Sequence, residues 1–328
     1  MLKTITDYFY PQPVITAEGI ENICFKGGGI KGVAFVGVAC ALQEVDVLPN
    51  IRRFIGSSAG AIFATVAACR MPYEKISTVI ESTDFSKFAD VEMGGILTES
   101  YKLYEYMGLH SGDYFYKWFS GILAEHAEKA DITFKEIREK WDSYLVITAT
   151  DLTKKRLVYL NPDTAPDMQV RDAVRMSMSI PVFFTPVIRK DERGLDHVYV
   201  DGGCTNNFPL NYFDQIYKTE VDGFTRTLGF NLEDDSSSKD PFVYVDQTVH
   251  VNNLIDLITT LINTDIEEIQ RLRLTERDKI RVVSIDTFGI SSTNFNISRE
   301  HIKMLIDSGY EATKQKLKIM LRTNNEQN

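Results

Sequence analysis

Residues 21–60 read ENICFKGGGIKGVAFVGVACALQEVDVLPNIRRFIGSSAG, and this stretch decides the fold. Glu21–Lys26 is an apolar strand that runs into Gly27-Gly28-Gly29. Ile30–Glu44 holds small and apolar residues without proline, the pattern of a buried helix. Arg52–Gly56 is a second short strand, and Ser58–Arg70 a second buried helix. Strand–helix–strand–helix order with apolar helices predicts a mainly parallel sheet covered on both faces, an α/β/α sandwich of three layers.

Outward from this core, Pro72–Lys140 is largely helical and rich in aromatics, broken at Gly94-Gly95, Gly108 and Gly112, and reads as a helical insertion or cap spanning about 72–140. Strands are expected at Tyr144–Thr150, Arg156–Leu160, His197–Val200 and Arg281–Ile285, with helices over Gln169–Ser179 and Ile302–Leu321. The residues between Glu233 and Asp240 have loop chemistry and are expected to be exposed or mobile. Leu254, Leu257, Ile258, Leu261, Ile262, Ile266, Ile269 and Leu272 mark one face of a long amphipathic helix. The expected organisation is a tail over 1–20, one domain over 21–322 and a short tail over 323–328.

The chain of 328 residues carries 36 basic and 46 acidic side chains, a net charge of −10. A nucleic-acid binder normally shows the opposite balance, so nucleic acid is not an expected partner. The four cysteines (Cys24, Cys40, Cys69, Cys204) have no metal or disulfide-scaffold spacing, which fits a reducing compartment. Residues 1–19 lack the continuous apolar core of a signal peptide, and the longest apolar runs fall short of the roughly 20 residues that span a bilayer. The expectation is a cytoplasmic protein, compatible with peripheral contact to membranes. Asp234-Asp235 lacks calcium-loop spacing, and no metal or cofactor is expected. Asn296-Ile297-Ser298 matches a glycosylation sequon, which carries little weight in a cytosolic chain. Lys303, Lys314, Lys316, Lys318 and Arg322 form a solvated helix face more readily than a lipid-binding one.

Three glycine-bearing segments carry the chemistry. Gly27-Gly28-Gly29-Ile30-Lys31-Gly32 formally matches GxGxxG, but no acidic residue ends the second strand to hold a ribose, and Val33 stands where a phosphate loop needs Lys-Ser/Thr. What remains is a turn whose free amides face a ligand from a helix N-terminus. Gly56-Ser57-Ser58-Ala59-Gly60 is a GxSxG pattern joining an apolar strand to an apolar helix, as a nucleophile elbow requires. Asp201-Gly202-Gly203 follows a strand directly. The five histidines are His110, His126, His197, His250 and His301. His250 and His301 lie outside strand-to-loop positions, and His197 sits about 13 Å from Asp201 along an extended strand, so both could not easily meet Ser58.

Together these segments resemble the patatin-like phospholipases, whose pattern is a Gly-rich oxyanion loop, a GxSxG elbow and a later DGG or DGA. Ser177-Met178-Ser179-Ile180-Pro181-Val182-Phe183-Phe184 also resembles a segment of that family, and the likeness extends over about Ile23–Leu210. Lys31 departs from the family's usual Arg, keeping the charge but losing a bidentate fork. The resemblance implies a lipid acyl hydrolase of phospholipase A type acting through a Ser58–Asp201 dyad. Gly27, Gly28, Gly29, Lys31 and Gly32 would form the oxyanion loop, supported by Gly56, Gly60, Gly202 and Gly203. The implied partner is a phospholipid or other acyl lipid, with an activating protein as a further candidate. Two other readings stand beside it: a partner-activated or non-catalytic binding module, and a soluble esterase of small esters.

Overall fold

A computed structural model describes residues 15–90, 99–217, 220–233, 251–252 and 254–325. The glycines 94–95, the acidic pair 234–235 with the rest of the 234–240 loop, and His250 lie outside the described residues. The described residues run through β1 (Asn22–Phe25), a 3-10 segment (Gly29–Ala34), α1 (Phe35–Glu44), β2 (Arg53–Gly56), α2 (Ala59–Ala68), α3 (Tyr73–Ser82) and a 3-10 turn at Phe85–Phe88. They continue through α4 (Glu99–Tyr106), β3 (Gly108–His110), α5 (Asp113–Ala127), α6 (Phe134–Trp141), β4 (Tyr144–Asp151), β5 (Arg156–Leu160) and α7 (Val170–Ser177). Then come β6 (Val182–Phe184), β7 (Val187–Lys190), β8 (Asp196–Asp201), α8 (Gly203–Asn206), α9 (Glu220–Thr225), β9 (Thr227–Glu233), α10 (Leu254–Arg273), β10 (Val282–Asp286) and α11 (Arg299–Asn325).

Among the described residues eight strands form one sheet in the order β10-β9-β1-β2-β4-β8-β7, with β5 also paired to β4; β3 and β6 form a separate parallel pair. From β10 to β4 every pairing is parallel, while β5, β7 and β8 join antiparallel. Central parallel strands are covered on both faces and therefore read as continuous apolar runs. Cys24, Ile55 and Val146 stand in register across β1, β2 and β4 and share a small core with Phe208, Leu210 and Phe213. Their neighbours Ile23, Phe25, Phe54, Leu145 and Ile147 turn to the other side, into the main core beneath α1 and α2. Every residue of α2 except Ala67 is buried. A helix apolar all round belongs inside, as this one is.

The helix read from Ile30 to Glu44 begins instead as a 3-10 coil, and α-helical pitch starts at Phe35. Gly29, at φ +56°, sets this tighter start. The 72–140 segment contains the strand β3 besides its helices, and its aromatics Phe85, Phe88, Phe115, Phe119 and Phe134 belong to the main core. β6, β7 and β9 were not read from the sequence. α10 spans the expected residues, but its apolar face is not sequestered: Leu257, Leu261 and Leu272 are 53%, 58% and 80% exposed. No helix among the described residues is long and apolar enough to cross a membrane.

Candidate active site

The sheet register brings the second and third glycine segments together. β2 ends at Gly56 opposite Ile147, and β8 ends at Asp201 opposite Ala149, two positions further along β4. β5 pairs with both Ile147 and Ala149 and so fills the other edge of β4. β2 and β8 must therefore share one edge and converge end to end, which places the turn after Gly56 against Asp201.

Ser58 occupies that turn at φ 52°, ψ −128° and caps α2 from a conformation that costs on the order of 1–3 kcal/mol outside glycine. The flanking glycines are required by close approach. A Cβ on Gly56 would lie 2.1 Å from the Gly60 carbonyl oxygen, and one on Gly60 2.3 Å from that of Phe25. The Ser58 amide donates to Ser177 Oγ at 2.8 Å, so a buried hydroxyl from α7 holds the strained turn. Ser58 Oγ lies 3.7 Å from Met178 Sδ.

Asp201 is fixed on three sides. Its amide donates to the Ser179 carbonyl at 2.9 Å, Thr150 Oγ1 donates to its carbonyl at 2.8 Å, and its Oδ1 accepts the Gly203 amide at 2.7 Å. Oδ2 is buried with no hydrogen-bond partner among the described residues. Burial pushes the Asp201 carboxyl from 3.8 up to about 7, against the opposing pull of the Ser58 side chain and the Gly203 amide. An acid with that value matches a general base at neutral pH far better than an ordinary aspartate.

The Gly-rich loop is held at both ends. The Gly27 amide donates to the Asn207 carbonyl at 3.0 Å, and Asn207 Nδ2 donates back to the Gly27 carbonyl at 3.3 Å. Gly27 leaves no room for a side chain, since its Cβ would fall 2.9 Å from Ser58 Cβ. The Ile30 amide donates to the Ser292 carbonyl at 3.0 Å, and the Lys31 amide to that of Gly28 at 3.2 Å. The amides of Gly28 and Gly29 donate to no backbone carbonyl among the described residues. Of the five loop positions expected to surround an oxyanion, Gly27 and Lys31 thus spend their amides inside the fold, and Gly28 and Gly29 offer the available donors. Gly32 packs its bare α-carbon against Ala59, and Gly202 does the same against Thr148.

An apolar cleft opens beside this cluster. It measures about 30 Å³, and Gly29, Ile30, Ala59, Ile62, Phe63 and Met178 are among the residues that line it. The described histidines are engaged elsewhere. His197 Nδ1 sits 2.8 Å from Asp151 Oδ2 and its Nε2 3.4 Å from Asp191 Oδ2. His110, His126 and His301 pair with the Asp90 carbonyl, the Cys69 carbonyl and Ser298 Oγ. Among the described residues no group of three His, Cys, Asp or Glu side chains is arranged to hold a metal ion. Asn207, Ser177 and Ser292 have no role assigned from the sequence, because each acts on a residue distant in the chain.

Comparison with known proteins gives one family and several relatives. The family model described as patatin-like phospholipase matches residues 23–214. The chain is 29% identical to the uncharacterized protein YqhO of Bacillus subtilis, over 90% of this chain and 97% of that protein. It is 25% identical to the probable lipid hydrolase 463L of Invertebrate iridescent virus 6, over 76% and 84% of the two chains. The crystal structure of VipD from Legionella pneumophila shares the fold, with a TM-score of 0.60 at 18% identity over 92% of this chain and 67% of that one.

Proposed function

The chain belongs to the patatin-like phospholipase family of lipid hydrolases, and from that premise we propose that it cleaves fatty-acyl esters with Ser58 as nucleophile and Asp201 as base. The observation that carries this reading is the buried Asp201 carboxyl, one oxygen unpartnered, set beside a strained serine. Ser58 Oγ attacks the ester carbonyl carbon as its proton passes to Asp201 Oδ2. The negative charge that develops on the carbonyl oxygen is met by the Gly28 and Gly29 amides, whose placement at a helix start adds a favourable field. Collapse of the tetrahedral intermediate breaks the ester C–O bond, and Asp201 returns the proton to the departing alcohol, a lysophospholipid in the phospholipase A case. Water then gives a proton to Asp201, attacks acyl-Ser58 and frees the fatty acid, while Ser58 recovers its proton.

The apolar cleft against Gly29 and Ala59 supports an acyl chain as the group held beside Ser58. Membrane lipid would reach it from a peripheral position. The test is free fatty acid release from mixed phosphatidylcholine–phosphatidylglycerol vesicles by wild type and Ser58→Ala, each with and without cytosolic extract. Release by wild type alone supports the proposal. Release that needs extract adds an activating protein to it. No Ser58-dependent release in either condition, together with turnover of short water-soluble esters, would replace it with the small-ester reading.

A further inference from the structure

The family match stops at residue 214, yet one wall of the cleft comes from beyond it. Phe295, in the loop between β10 and α11, lines the cleft and is only 3% exposed. Its ring centroid lies 5.7 Å from Phe88, 5.3 Å from Phe183 and 6.4 Å from Phe184, so it wedges between the Phe85–Phe88 turn and β6. Phe88 in turn packs on Phe85 and Trp118, which with Ile80 also line the cleft. The lining thus has two regions. Ala59 follows Ser58 in the chain and Met178 Sδ lies 3.7 Å from Ser58 Oγ, so these two mark the serine's side of the cleft, whereas Phe295 packs with the aromatic group.

The same loop touches the other side of the chemistry. Ser292, three residues before Phe295, accepts the Ile30 amide at 3.0 Å, and its carbonyl oxygen lies 2.0 Å from where a Gly29 Cβ would stand. The loop is therefore anchored on the Gly-rich turn, and Phe295 is held at a fixed offset from the donors that would meet an oxyanion. A buried aromatic so anchored acts as a ruler. An acyl chain that enters this small cleft from Ser58 competes for space with the Phe295 ring, the more so the longer the chain.

We propose that Phe295 sets the acyl-chain-length preference of the site; this rests on the acyl-ester reading above and adds to it the residue that measures the chain. Shortening the side chain widens the aromatic end and favours long chains, while enlarging it favours short ones. A hydrophobic pocket discriminates a single methylene by roughly tenfold or more, so a change of a whole ring is readily measured.

The experiment compares kcat/KM on 4-nitrophenyl esters of four-, eight-, twelve- and sixteen-carbon acids for wild type, Phe295→Leu, Phe295→Ala and Phe295→Trp. The expected result is a rise of about tenfold in the sixteen- to eight-carbon ratio for Leu and Ala, and a fall for Trp. Equal scaling of all four esters in variants that keep the wild-type circular dichroism would overturn the proposal. The second measurement is affinity for free fatty acids of the same lengths in Ser58→Ala, with Phe295 present or replaced by Leu. That series needs no turnover. A shift in the preferred length supports the Phe295 assignment even if hydrolysis fails, and an unshifted series refutes it while leaving the hydrolase reading intact.

Discussion

Replacing Asp201 by Asn should make the protein's stability less dependent on pH while removing its turnover. In the folded protein burial raises the Asp201 carboxyl from 3.8 to about 7. The folded state therefore binds this proton more tightly than the unfolded chain does. Its contribution to stability is complete below about pH 4 and is lost as pH rises through about 7. A shift of this size corresponds to about 4 kcal/mol in all. Integrated between pH 5 and pH 8, it predicts that wild type loses about 2.5 kcal/mol through this single group. Asn keeps an acceptor for the Gly203 amide but titrates nowhere in this range. Its own amide group brings an unmatched donor, at about 1–3 kcal/mol, but that cost is the same at both pH values and cancels. The assay is urea unfolding followed by the fluorescence of Trp118 and Trp141 at pH 5 and pH 8, for both proteins. Subtraction removes all other titrating groups. Asn should gain about 2.5 kcal/mol on wild type as pH rises from 5 to 8. A wild-type-minus-variant difference that is the same at both values would refute the buried-charge argument, and with it the reason Asp201 can serve as a base.

Four further outcomes follow from the same geometry. The kcat/KM for a neutral ester should climb with pH and level off above an apparent pKa near 7, set by Asp201; a rate already flat at pH 5 would remove Asp201 from the base role. Ser177→Ala strands the buried Ser58 amide, which should cost about 1–3 kcal/mol in urea unfolding and lower kcat at least tenfold, with KM changed less. Gly29→Ala meets both a φ of +56° and the Ser292 carbonyl at 2.0 Å, so its melting temperature and activity should both fall. Gly121→Ala is the control: it lies inside α5 with nothing within 4 Å of the new Cβ, and should stabilise by about 0.5–1 kcal/mol.

How much could be read in advance depended on whether a feature was local in the chain. Gly56, Gly60 and Gly27 advertise themselves, because a backbone that must pass within van der Waals contact of another admits no side chain, and the requirement is written at the position itself. β1, β2, β4 and α2 were legible for a similar reason: complete burial demands an unbroken apolar run. The Thr227–Glu233 strand escaped because Gly229 and Asn231 interrupt its run, although six of its seven residues are buried. Gly229 is there because Phe208 and Leu210 fill the space where its Cβ would go, 2.6 and 2.5 Å away. Nothing near Gly229 announces those two side chains. The amphipathic pattern of α10 was read correctly as a helix, yet periodicity reports spacing and not burial, and Leu261 stands in the open. Asn207, Ser292 and Phe295 sit among Ser, Thr and Asn with no period at all. Their roles come from contacts some 110 or more residues away along the chain. The likeness to a known family points to the Ser177–Ser179 segment, but only the fold shows one of its serines holding the Ser58 amide and the other the Asp201 amide.

The neighbours of β1 have a consequence for how such a chain can be inherited. β1 carries the Gly-rich turn, and it is clamped between β2, which precedes residue 214, and β9, which follows it. Behind the turn, α1 and α11 meet backbone to backbone: Gly37 faces the Ile306 carbonyl and Gly309 that of Ala34, each leaving only 2.0 Å for a Cβ. A genetic crossover near position 214 would join the Gly56–Gly60 turn and Asp201 from one parent to a sheet edge and a mating helix from another. Two glycines, each set against backbone from the other side of the join, would then have to match by chance. The segment recognised as the family's signature is thus not a cassette that can be exchanged alone. Its evolutionary unit includes the strands and the helix that follow it, and substitutions at Gly37 and Gly309 should be rarer among viable hybrids than substitutions at most surface positions of either part.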